Sequence, residues 1–336
     1  MRVLIASTSG AGHRLPLAPF ADGLEAAGHE VRRVVSEPPR DPRWDAFGTM
    51  TRDEQRLFAE REWFGRICTE HMRPRLEAAC DELRPDVIVR EPCEYASAIA
   101  AVERDIGFVT VAITNAEGEW GATAAAAPVL PDAVVDALRE RPFLSRFPAS
   151  LDPSPYPRTH RYAETVPPES TRELVYATFG TVAPGLGYDP YRALLDAADG
   201  LDVDVLLTTG DELDLAPVPA NVRVERWVPQ AEALAKAKLV VCHGGSGTVL
   251  GSLAAGIPLV LLPLFADQAA NAERLARAGA ARVVTAAGLR DAILDPPPPP
   301  LAIMRELRAA QPPLHALEGA CPGLRRVQRD MDAPER

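Results

Sequence analysis

One stretch constrains this 336-residue chain more than any other: a short buried-strand pattern runs straight into a glycine-rich turn and then a helix. Residues 239–242 are apolar and rich in β-branched side chains, as in a strand buried on both faces of a parallel sheet. They lead into His243-Gly244-Gly245-Ser246-Gly247-Thr248, and Val249, Leu250, Leu253 and Ala254 follow at helical spacing. Such a turn aims backbone N–H groups and the positive end of a helix dipole at one point, which suits a phosphate or diphosphate. His243, at the strand's carboxyl end, adds a hydrogen bond or a charge.

The rest of the chain repeats this unit. Residues 3–6 form a first strand, 7–13 a tight turn, about 16–27 a helix and 29–35 a second strand, the opening of a parallel sheet covered by helices. Gly10 and Gly12 begin a dinucleotide fingerprint, but its third small residue falls on Leu15, which argues against NAD. His13 and Glu91 each follow a strand, where open α/β sheets place ligands. Residues 58–83 read as helical with a break or a kink at Pro74. Residues 115–150 read as loose, with one helix at about 132–139. Trp63, Phe64, Trp120, Phe143 and Phe147 line either a pocket or the core. Residues 174–179, 203–208, 222–224 and 259–262 give further strands. Trp227 is suited to stacking on a nucleobase, and Asp267-Gln268 to gripping sugar hydroxyls. Asp202-Val203-Asp204 sits at a strand's start, the wrong end for a metal site.

Composition narrows the class. The net charge of −11 leaves no footprint for nucleic acid or an anionic membrane, and no apolar run reaches the length of a membrane span. The N-terminus reads as a strand, not a signal peptide. The five cysteines (Cys68, Cys80, Cys93, Cys242, Cys321) lack CxxC spacing, so free thiols, a cytoplasmic location and no zinc site are expected.

The order Trp227-Val228-Pro229-Gln230, then 243–248, then Asp267-Gln268 with Asn271-Ala272 resembles the donor signature of GT-B, family 1 glycosyltransferases, especially bacterial enzymes that glycosylate natural products such as antibiotics and macrolides. Gly12-His13-Arg14-Leu15-Pro16 matches the stretch that carries the family's general base. The resemblance implies two Rossmann-like α/β domains whose parallel sheets face across a cleft. It implies His13 as base and Glu91 as the acid that orients it. It implies donor contacts from Thr181, Trp227, Val228, Gln230, His243, Gly245, Ser246, Gly247, Thr248, Asp267 and Gln268, without a metal or cofactor. Many UDP-sugar members carry a ribose-binding Glu where this chain has Gly251, which favours a dTDP-sugar over a UDP-sugar. The expected partners are a nucleotide-sugar donor and a small acceptor, with no nucleic acid.

The expected organisation is an acceptor domain at 1–150, a proline-rich linker at 151–172, a nucleotide-sugar domain at 173–318, and a C-terminal helix within 319–336 that crosses back to the first domain. Helices are expected at 303–310 and 323–331 after a stiff polyproline spacer at 296–300. A nucleotide-sugar epimerase and a non-catalytic nucleotide-sugar binder stay open as alternatives.

Overall fold

The computed structural model describes residues 1–38, 40–166, 171–180, 190–211, 213–264 and 268–324. The chain divides into two units. The first holds Met1–Asp41, Met50–Ala163 and Ala310–Arg336, the second Pro42–Thr49 and Glu164–Ala309. Each is built on one six-stranded sheet.

In the first unit the strands are β1 (Arg2–Thr8), β2 (Glu30–Ser36), β3 (Val87–Arg90), β4 (Gly107–Val111), β5 (Phe143–Ser145) and β6 (Thr159–Arg161), in the order β2-β1-β3-β4-β5-β6, all parallel. Successive residues of a strand point to opposite faces, and both faces are covered. Leu4, Ala6, Ile88 and Phe108 enter one core with Met72, Leu76 and Ile99. Val3, Ile5, Val87, Val89 and Val109 enter the other with Phe20, Leu24 and Leu317.

In the second unit the strands are β7 (Leu174–Thr178), β8 (Val205–Thr208), β9 (Val222–Glu225), β10 (Ala237–Cys242), β11 (Leu259–Leu261) and β12 (Ala281–Val283), in the parallel order β12-β11-β10-β7-β8-β9. Counted within the unit, this is the doubly wound order of dinucleotide-binding folds. Such sheets bind ligands beyond the strands' carboxyl ends, where the strand order reverses. The reversal falls between β1 and β3 in the first unit and between β7 and β10 in the second.

The structure departs from the sequence reading in four places. Residues 159–161, expected in the linker, are edge strand β6, paired with β5 from Phe143↔Thr159 to Ser145↔Arg161; three residues are too few to show a period. The stretch expected to be loose carries the helix Ala116–Ala126, whose cap Asn115 accepts the Gly118 N–H at 2.9 Å. Alanine's helix preference outweighs the two glycines there. The helix that docks on the first unit is Pro313–Ala320, so the second unit ends at Ala309 and not at 318. In place of a helix over 323–331 there is a single 3₁₀ turn, Pro322–Leu324, and positions 325–336 lie outside the described residues. Among the described residues no helix is long and apolar enough to cross a membrane.

Candidate active site

One candidate site lies at the β1/β3 reversal of the first unit. After β1 the chain winds at once into the one-turn helix Ala11–Arg14, where a turn is expected from the glycines. The Gly10 carbonyl accepts the His13 and Arg14 N–H groups, each at 3.0 Å. A Cβ on Gly10 would stand 2.9 Å from His13 Cδ2, so the glycine makes room for the ring. His13 Nδ1 lies 3.2 Å from Glu91 Oε2, an ion-pair distance without the alignment of a good hydrogen bond. Glu91 is wholly buried. Its Oε1 accepts the Thr8 N–H at 3.1 Å and its Oε2 the Cys93 N–H at 2.6 Å. The Phe64 ring tilts against His13 with 5.3 Å between centroids.

Burial alone would lower the His13 pKa. The close negative charge of Glu91, with a contribution from Glu119, outweighs burial and raises it above the ordinary 6.5. Burial likewise pushes the Glu91 carboxyl up, but His13 and the Thr8 and Cys93 N–H groups prevail and hold it below its ordinary range. Near neutral pH, then, an ionised carboxylate backs an imidazole and makes it more basic. That is the chemistry of a proton acceptor with its orienting partner.

Arg90 is a feature the sequence reading passes over. Its guanidinium is fully buried beneath the loop that carries Glu91. It donates to the Glu94 carbonyl at 2.6 and 3.0 Å, the Pro92 carbonyl at 3.0 Å, Ser97 Oγ at 3.2 Å and Thr110 Oγ1 at 3.2 Å. Glu94 in turn caps the helix Tyr95–Glu103 by accepting the Ser97 N–H. The loop after β3 is thus held from inside. An apolar strand ending in Arg is the only signal the sequence offers for it.

The Cys93 thiol completes a trio with His13 and Glu91 whose ligand atoms lie within 4.8 Å of one another; among the described residues it is the one such group placed to hold a cation. Burial pushes that thiol well above its ordinary range, which works against a thiolate ligand. Asp202 and Asp204 join no such group.

The other candidate site lies at the β7/β10 reversal of the second unit. Gly180, with φ +81°, follows β7, and His243 follows β10. The His243 ring is nested against glycines. A Cβ would stand 3.1 Å from Nε2 if built on Gly180 and 2.4 Å if built on Gly245. The helix Ser246–Ala255 starts at Gly245 with no side-chain cap, which leaves its amino end for an outside acceptor. Gly247 and Thr248 lie in its first turn. Asn271, buried, clamps the turn by donating to the Gly244 carbonyl at 3.2 Å and toward Ser246 Oγ at 3.4 Å.

Trp227 is 69% exposed on the loop after β9, open to offer its face, and Val228 beside it is half-buried. Gln230 Nε2 donates to the Gly247 carbonyl at 3.2 Å. Gly251 supplies the room, since a Cβ there would come within 3.1 Å of that same nitrogen. Gln268 differs from the expectation of an amide offered to a sugar: it is buried, and its Oε1 accepts the Leu264 N–H at 2.8 Å. Its place at the first turn of a helix beside the Gly-rich loop turns it inward. Thr181 and Asp267 lie outside the described residues.

Comparison with known proteins bears on both halves. Residues 192–296 match the family described as erythromycin biosynthesis protein CIII-like, C-terminal domain. The chain is 30% identical to an L-demethylnoviosyl transferase of Streptomyces niveus over 83% of its own length and 84% of that protein's. In structure it is similar to the glycosyltransferase SnogD of Streptomyces nogalater, with a TM-score of 0.73, 24% identity and coverage of 96% and 99% of the two chains. It is also similar to the spinosyn rhamnosyltransferase SpnG complexed with thymidine diphosphate, with a TM-score of 0.76, 20% identity and coverage of 95% and 99%.

Proposed function

The chain belongs to the antibiotic-type glycosyltransferases of GT-B fold, and from that premise we propose that it is an inverting, metal-independent enzyme that moves a sugar from a dTDP-sugar to a hydroxyl of a small, hydrophobic natural product. The observation that carries this reading is the contact between His13 and the buried, ionised Glu91 at the strand-order reversal of the first sheet.

In the proposed reaction the acceptor hydroxyl gives its proton to neutral His13 while its oxygen attacks the anomeric carbon from the face opposite the diphosphate. The new C–O bond forms as the bond to the diphosphate oxygen breaks, and the configuration inverts. Glu91 holds the imidazole in one orientation and stabilises the imidazolium that results. The departing diphosphate is received by the amino end of the helix Ser246–Ala255 and by His243, groups fixed before the reaction begins. Trp227 stacks on the base. Gln230, leaning into the room that Gly251 leaves, faces the ribose, and the missing carboxylate at 251 matters least for a deoxyribose. The thymidine diphosphate in the related SpnG structure agrees with this choice.

Calorimetric titration with dTDP, UDP, GDP and NAD tests the donor half. Binding of dTDP in preference to UDP, with none for NAD, is expected. Absence of binding by every diphosphate would make the Gly-rich turn a structural element and remove the proposal.

A further inference from the structure

Four acidic side chains gather at the loop after β3: Glu91 and Glu119 act on His13, Glu60 acts on Cys93 beside it, and Glu94 lies near Glu91; three of the four are met by the protein. Glu91 accepts the Thr8 and Cys93 N–H groups, Glu94 accepts the Ser97 N–H, and Glu119 accepts the Ile113 and Thr114 N–H groups at 3.1 and 2.9 Å. The fourth, Glu60, holds a buried Oε2 with no hydrogen-bond partner. A buried polar oxygen left unmet is destabilising and rare, and one that persists asks for a ligand.

Its position says which ligand. Glu60 lies on the π-helix Leu57–Cys68, twelve residues long, where π-helical geometry is usually one turn and marks functional sites. The wider π turn brings Glu60 and Phe64, four residues apart, close to one face. Phe64 is the residue whose ring rests on His13. On the neighbouring face Gly65 lets the helix pack tightly, since a Cβ there would meet Val129 and Ala126 at 3.0 and 3.3 Å. Glu60 is also within electrostatic reach of Cys93 and Tyr95, just past Glu91.

We propose that Glu60 is a specificity-determining residue of the acceptor site, receiving a hydrogen-bond donor that the acceptor carries beyond its reacting hydroxyl, about one helical turn past the Phe64 ring. This rests on the transferase reading above. It narrows the acceptor to a molecule with an aromatic or apolar body and a second polar group, a hydroxyl or an amine. Burial, offset in part by Arg56, pushes the Glu60 carboxyl up to about 7, so near neutral pH it takes either group.

The test is equilibrium binding to the dTDP-loaded protein of three probes that share a naphthol: 2,7-dihydroxynaphthalene, its monomethyl ether 7-methoxy-2-naphthol, and 7-(aminomethyl)-2-naphthol. The expected result is that wild type binds the diol or the ammonium probe about 10-fold or more tightly than the methyl ether. Glu60→Leu abolishes that preference, and Glu60→Gln keeps part of the preference for the diol. The stronger of the two favoured probes identifies the group. Glu60→Leu should also raise the melting temperature of the free protein by about 2–4 °C, because it removes a carboxyl oxygen that is buried and unmet; a merely structural Glu60 would lower it. Equal binding of diol and ether by wild type, or a preference that survives Glu60→Leu, overturns the proposal, as does failure of all three probes to bind a protein that still binds dTDP. Loss of dTDP binding itself would instead overturn the transferase reading.

Discussion

The nesting of the His243 ring against Gly245 makes a sharp prediction for Gly245→Ala. The backbone there, φ −64° and ψ 138°, is open to any residue, so alanine brings no backbone strain. What it brings is a methyl 2.4 Å from His243 Nε2 and 2.9 Å from Cε1. Ordinary contact needs about 3.5 Å, so the ring must retreat by roughly 1 Å. A hydrogen bond to a phosphate does not survive such a shift. Hydrogen bonds to charged groups contribute about 1.5–3 kcal/mol, so dTDP affinity should fall by about 10- to 150-fold. Loss of the glycine cap adds a helix penalty of about 1 kcal/mol. Calorimetry on Gly245→Ala, His243→Ala and the double variant closes the cycle. If the methyl acts by displacing the imidazole, the double variant binds dTDP no more weakly than His243→Ala alone. Unchanged affinity in Gly245→Ala, or losses that add in full, would refute the reasoning.

Four further outcomes are expected. His13→Ala should lower turnover by about 10²-fold or more with dTDP affinity unchanged, measured in transfer assays and by calorimetry. A base must be unprotonated and the His13 pKa is raised, so kcat/KM should climb with pH and level off only above 6.5. Glu91→Gln removes the Glu91 contribution and leaves the downward push of burial opposed only by Glu119, so the acidic limb should move to lower pH while the plateau falls by about 10²- to 10⁴-fold; a limb that stays in place would detach Glu91 from His13. Leu317→Ala, at a side chain fully buried against the helix Ala18–Ala26, should destabilise the first unit by about 2–5 kcal/mol in urea unfolding.

The sheet cores were legible because buried parallel strands such as β1 and β10 are continuous apolar runs bounded by glycine turns. The contact of His13 with Glu91 was legible only through the family likeness, since 78 residues separate two side chains that meet because β1 and β3 are neighbours. Other parts were hidden for particular reasons. β6 and β12 have three residues each and show no period. The π-helix carries apolar residues at spacings close to those of an α-helix, so Phe64 and Glu60 looked like ordinary helix positions. Arg90 hides in the core because each of its three guanidinium nitrogens finds a partner in the loop after β3, in the helix that follows it or on Thr110 of β4, which no spacing reports. Gln268 read as a surface amide because the Leu264 N–H that turns it inward leaves no mark in the sequence.

The docking of Pro313–Ala320 has a consequence for how the chain is made. The sheet of the first unit is complete once Arg161 has been synthesised, yet the cover for one of its faces is not. Ala316, Leu317 and Ala320 emerge only after roughly 150 residues of the second unit, a wait of roughly 8–30 seconds at about 5–20 residues per second. Through that interval Leu24, Ala21 and Tyr162 face solvent where the helix will sit. The second unit can close its own sheet on the ribosome, while the first unit, begun earlier, is finished last. A nascent chain stalled before residue 310 therefore carries an open apolar seam, and that seam is where a chaperone would hold it.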